Sequence, residues 1–182
     1  MENLHMEHHF SRIYEQRDHF LTKTRPLHDR VWTRPQPEKW SIGETYYHLY
    51  LMVKRLRQLN NIYLPLLSPI AKRKKKEGFP KQSEDIYTLY KKKNGKSMRS
   101  PFVLLPPKNA KDRMTFHHLV GCTSRETRKL EAQVLSLNEA AAGHIRYPDP
   151  LAHYPNIFQS IDLLGIHERH HFQLCERYYQ LN

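Results

Sequence analysis

An all-α fold, a four-helix bundle in up-down-down-up order with a long crossover between its second and third helices, is what this sequence predicts. Three observations predict it. Four segments carry apolar residues at alternating steps of three and four, the spacing of one buried helical face. A short Pro-bounded link joins the first two segments, whereas about forty-five residues separate the second from the third. No run of alternating apolar and polar residues reads as a strand, and no internal repeat is present.

The first helix is expected from about His5 to Arg30, with Phe10, Ile13, Phe20 and Leu27 at core spacing and Pro26 kinking or splitting it. Residues 33–39 form the Pro-bounded turn. The second helix opens at Ser41, whose hydroxyl can cap the first turn while Glu44 reaches back to the Ser41 amide. Ile42, Thr45, Leu49, Met52, Leu56, Leu59 and Tyr63 then keep one stripe to about Leu67. From Ser68 to Met114 the pattern dissolves into Gly, Pro and Lys, with one short helix expected around Glu84 to Lys91. The third helix runs from Thr115 through Phe116, Val120, Thr123, Thr127, Leu130, Val134 and Leu137, ending before the Ala-rich segment at Gly143. The fourth spans about Asn156 to Tyr179. A crossover that long lets helix three run parallel to helix two.

Composition bounds the possibilities further. With 182 residues and six glycines the chain is read as one domain covering residues 1–182. No stretch approaches the roughly 20 apolar residues that span a bilayer, and the N-terminus lacks the apolar region of a secretory signal, so a cytoplasmic location is expected. Cys122 and Cys175 show no CxxC-type pairing and are expected to be reduced thiols. The formal charge of +12 is concentrated: residues 72–113 hold fourteen Lys or Arg against four acids, a net +10 in one connection.

The most informative segment is His167-Glu-Arg-His-His171. Ile157, Leu164, Leu174 and Tyr178 place His167 and His171 on the core stripe of helix four, where leucines would be expected. Imidazoles one turn apart can grip one metal ion. His48 borders the stripe of helix two, so a third imidazole enters from a facing helix, as metal sites in bundles are built. Three neutral histidines with open positions describe a catalytic rather than a structural metal site, and imidazole suits Zn, Ni, Cu or Fe. In a chain with thirteen histidines, chance pairs satisfied by their neighbours are the competing explanation.

Neighbouring residues have plainer roles beside functional ones. Glu44 lies one turn before His48 and either caps the helix or orients His48, the cap being favoured. Glu168 is either a partner of the ligands or a surface residue. His170 points about 100° from His171 and is a poor ligand. His117 and His118 read as a surface pair at a helix start, and Trp40 as a staple of the helix entrance rather than a stacking surface.

Trp40-Ser-Ile-Gly-Glu-Thr-Tyr-Tyr-His48-Leu, followed far downstream by His167-Glu-Arg-His-His171-Phe-Gln, resembles the DinB-like superfamily, which includes the bacillithiol S-transferases. The likeness extends over most of the chain. It implies that His48, His167 and His171 bind a divalent metal, Zn or Ni foremost, in a metal-dependent enzyme: a thiol transferase using bacillithiol or a similar low-molecular-weight thiol, or a hydrolase in which the metal activates water. The resemblance also implies a homodimer, for which Tyr178 and Tyr179 are the expected exposed aromatics. The basic crossover departs from the family pattern. At the mouth of the site it would select an anionic small-molecule substrate, with Lys74, Lys75, Lys91 and Lys92 supplying charge. The alternative is a nonenzymatic polyanion- or nucleic-acid-binding protein with a structural metal. Against it, the basic run lacks a recognition helix and has little aromatic interleaving beyond Tyr87, Tyr90 and Phe102.

Overall fold

In a computed structural model, residues 4–71, 73, 78–85, 101–149 and 152–181 are described. Among them the chain is all-helical, with six α-helices: α1 (Leu4–Thr24), α2 (Ile42–Ala71), α3 (Ala110–Arg113), α4 (Phe116–Leu135), α5 (Glu139–His144) and α6 (Ile157–Tyr179). The expected short helix around Glu84 to Lys91 falls mainly on residues 86–91, outside the described residues; Glu84 and Asp85 themselves are not helical.

Local chemistry sets the boundaries. α1 ends where Pro26 begins a tighter 3-10 turn, Arg25–Arg30. α2 opens with the expected reciprocal cap, Glu44 N–H donating to Ser41 Oγ at 3.1 Å and Ser41 N–H to Glu44 Oε2 at 2.8 Å. It continues one turn beyond the expected end, through Pro65 and Pro69. Both prolines are exposed and four residues apart, and the carbonyls they cannot pair belong to Asn61 and Pro65, themselves exposed residues. α4 is capped by Thr115, which accepts from His118 N, and α6 by a full capping box between Asn156 and Gln159. The sequence reading missed α5, which starts at the Asn138 cap and occupies the Ala-rich segment.

Pairwise contacts give the directions. Arg12 meets Asp162, Gln16 meets Gly165, Phe20 stacks on Phe172 at 4.1 Å and Lys23 meets Glu176, so α1 and α6 run side by side in the same direction. Tyr46–Phe116, Arg57–Glu126 and Asn61–Gln133 align α2 with α4 in the same way. Between α2 and α6 the order reverses, Thr45 lying by Cys175 and His48 by His167. Among the described residues two large apolar clusters fill most of the interior, one around Phe10, Ile13, Val53, Leu130, Phe158 and Leu164, the other around Phe20, Ile42, Tyr46, Leu49, Leu119 and Phe172, with a small third one of Ala152, Leu163 and Ile166. The deepest α4 residue near its start is Leu119, not the expected Phe116 or Val120, which are half-buried.

Because α2 and α4 point the same way, the connection between them must travel the length of the pair rather than cross one end. Its described parts lie at opposite ends. Near the start of α6, His9 Nε2 lies 2.9 Å from the Lys81 carbonyl, Ser83 N–H donates to Asp162 Oδ2 at 2.8 Å, and Phe79 stacks on Phe158. At the other end, residues 101–107 return beside the first turns of α2. Of the basic residues, Lys74, Lys75, Lys91 and Lys92 lie outside the described residues. Among the described residues no helix is long and apolar enough to cross a membrane. Tyr178 and Tyr179 are half-buried rather than exposed: Lys39 Nζ lies 5.1 Å over the Tyr178 ring and Tyr179 Oη donates to the Thr33 carbonyl.

Candidate metal centre

His48 projects from the second turn of α2, and His167 and His171 from successive turns of α6, so two rigid elements deliver three imidazoles to one point. One nitrogen from each lies within 4.8 Å of the others. The ring centroids are 4.6 to 5.0 Å apart. His48 is 1% exposed and His167 8% exposed, while His171 is half-buried and gives the cluster its open side. The sequence expectation that these three residues meet is met by the geometry.

The tautomer of His48 follows from its partner. Nδ1 lies 2.8 Å from the carbonyl oxygen of Leu104, and a carbonyl only accepts, so the proton of a neutral His48 is on Nδ1 and Nε2 is a bare lone pair. That Nε2 faces His167 Nε2 at 2.8 Å. Two imidazole nitrogens on one tetrahedral zinc, each at about 2.0–2.1 Å, stand roughly 3.3 Å apart. The His48–His167 separation is somewhat shorter than that value and the whole group lies within 4.8 Å; three imidazole nitrogens are a donor set that fits a borderline divalent ion.

Electrostatics favour ligation too. Burial lowers the pKa of His48, against the pull of its hydrogen bond to Leu104. His167 is held well below the usual range, chiefly by burial and then by His171 and His48; His171 is lowered to about 3, by burial first and then by His48 and His170. All three are neutral at pH 7, the form in which imidazole binds metal.

The surroundings settle the other candidates. Glu44 is spent on the helix cap and on a two-pronged ion pair with Arg34 at 2.6 to 3.1 Å, so it neither orients His48 nor serves as a base. Trp40 does more than close the helix entrance: its ring lies 5.1 Å from His48 and stacks on His171 at 6.0 Å, because it sits just before α2, where the end of α6 passes. His117 and His118 are exposed, as expected. His170 lies beside His171 but is outside the ligand group. Glu168 is not a surface residue: it is fully buried, next to His167 in the chain, and gripped by Arg17. Cys175 is buried and its thiol pushed up to about 11, first by burial, so it is no ready thiolate.

Sequence reasoning missed Leu104, which acts through its backbone, and Arg17. Arg17 had a signal: Phe10, Ile13, Arg17, Phe20 and Thr24 follow steps of three and four, placing a cation on the core stripe. The segment of the crossover that reaches His48, residues 101–107, contains no charged residue. Compared with protein-family models, curated proteins and solved structures, the chain matches none.

Proposed function

We propose that the protein is a metal-dependent enzyme on an up-down-down-up four-helix bundle of the DinB-like kind, with His48, His167 and His171 holding one divalent ion, Zn or Ni. The bundle reading is supported by the shared directions of α1 with α6 and of α2 with α4. The observation that carries the functional reading is the convergence of three neutral, buried or half-buried imidazoles, one of them oriented by the Leu104 carbonyl, with no carboxylate joining the group among the described residues. Such a site satisfies only part of a metal's coordination and leaves room for a substrate atom. A bound divalent ion would supply Lewis-acid polarisation and lower the pKa of a thiol or water brought to it.

Two chemistries fit such a site, and in the first a low-molecular-weight thiol brought to a bound divalent ion would be held as its thiolate for transfer to an electrophile, its proton passing to solvent. Protein side chains would orient the imidazoles, wall the site with the Trp40 ring and hold the second substrate at the His171 side. The hydrolase reading uses the same open position for water. The experiment is a conjugation assay with bacillithiol or cysteine and an electrophile, run beside an esterase assay, before and after chelation. Activity lost on chelation and restored by Zn or Ni supports the reading. Salt-sensitive nucleic-acid binding, without metal-dependent turnover in either assay, would replace it with the polyanion-binding alternative.

A further inference from the structure

Among the described residues, the ion pair between Arg17 and Glu168 is buried and lies outside the ligand group. Glu168 is 0% exposed and Arg17 4% exposed. Arg17 Nε–H donates to Glu168 Oε2 at 2.8 Å, its Nη2 to Glu168 Oε1, and its Nη1 to Thr127 Oγ1 at 2.6 Å. One guanidinium therefore ties α1, α4 and α6 together. Gln16 on α1 adds a bond to the Gly165 carbonyl at 3.1 Å.

Stability alone does not account for this arrangement. Removing two charges from water costs about as much as their attraction returns, and well-packed apolar replacements are often as stable or more so. A two-pronged guanidinium–carboxylate pair does supply directionality, since its planar fork accepts a carboxylate in few orientations. Glu168 directly follows His167. On a helix of 3.6 residues per turn it projects about 100° from His167 and about 60° from His171. Fixing the Glu168 carboxylate toward α1 thus fixes the histidines toward α2. At a side-chain radius of about 5–6 Å, a rotation of α6 by about 10° would move an imidazole by roughly 1 Å, and metal–ligand distances tolerate about 0.2 Å.

We infer that the Arg17–Glu168 pair is a positioning element that sets the rotation of α6 and so aims His167 and His171 at His48. The consequence for metal affinity rests on the metal-enzyme reading; the aiming of the rings does not. The test uses the full chain and two variants, the double apolar Arg17→Met/Glu168→Leu and Arg17→Lys, which keeps the charge and loses the fork. Ring-proton contacts between His48 and His167 are read by NMR in the metal-free proteins, and Zn(II) affinity by competition with a chromophoric chelator.

The expected result is a helical double variant whose ring contacts are lost and whose Zn(II) affinity falls at least tenfold. Arg17→Lys is expected between it and the parent in both readouts. Parent-like ring contacts and affinity within twofold, in either folded variant, would overturn the inference. Should the double variant fail to fold, Arg17→Lys decides alone. A parent that binds no Zn(II) but whose ring contacts vanish in the variants would sink the metal reading and leave the positioning role standing.

Discussion

Glu44 stands one turn from His48, yet its two oxygens are already engaged by the Ser41 amide and the Arg34 fork. Glu44→Ala is therefore expected to loosen the start of α2 by about 1 kcal/mol, the usual worth of a helix cap, read as a lower urea midpoint. Metal content should stay at the parent level, and a loss of metal from a folded variant would give Glu44 a direct role at the site. Cys175 offers a second residue-scale check. With its thiol at about 11 and its side chain buried, it should resist alkylation in the native protein at pH 8, whereas half-exposed Cys122 reacts. Equal labelling of both would contradict the buried setting. The ligand histidines were legible in the sequence because side chains at i and i+4 on a core stripe carry their own signature. Leu104 was not, since it acts through a carbonyl that every residue possesses. Arg17 was passed over because a cation among Phe10, Ile13 and Phe20 reads as a gap in the stripe until a buried carboxylate is found opposite it.

At the scale of elements, the long helices were readable from periodicity and caps, and their ends moved by only a few residues. α5 was not readable, because its six residues span fewer than two turns and it is held by the Asn138 cap and by burial of Ala141, Ala142 and Gly143 rather than by a stripe. That burial has a specific use. A methyl group at Gly143 would run into the ring of Phe79, which anchors residues 78–85 against Phe158 and His144. Gly143→Ala should therefore cost about 1–3 kcal/mol, the range for overpacking, and raise proteolytic cleavage near residue 80. Unchanged stability and cleavage would mean that Phe79 repacks freely. The other described part of the crossover touches the site itself. Since the Leu104 carbonyl fixes His48, metal binding is expected to raise hydrogen-exchange protection in residues 101–107. Protection confined to α2 and α6 would separate that segment from the centre.

For the molecule as a whole, the cluster couples stability to pH. His48, His167 and His171 have folded-state pKa values below the unfolded value of 6.5, His171 at about 3, so the unfolded chain takes up protons first on acidification. Their contribution is fully present above about pH 6.5 and is lost as the pH falls from there toward 3. Thermal scans of metal-free protein should show the melting temperature dropping across that window, and His171→Phe should flatten the drop. A profile level from pH 7 to 4 would contradict the burial of neutral imidazoles. The convergence of those imidazoles is also what the central claim rests on, and it is tested most directly by elemental analysis of the purified parent beside His48→Ala, His167→Ala and His171→Ala, each checked for helicity by circular dichroism. The account predicts one Zn or Ni per parent chain and loss of most of that metal in every single variant, with the helices intact because the apolar clusters do not depend on it. Full occupancy in all three variants, or a folded parent that takes up no metal when zinc and nickel are supplied, would contradict it.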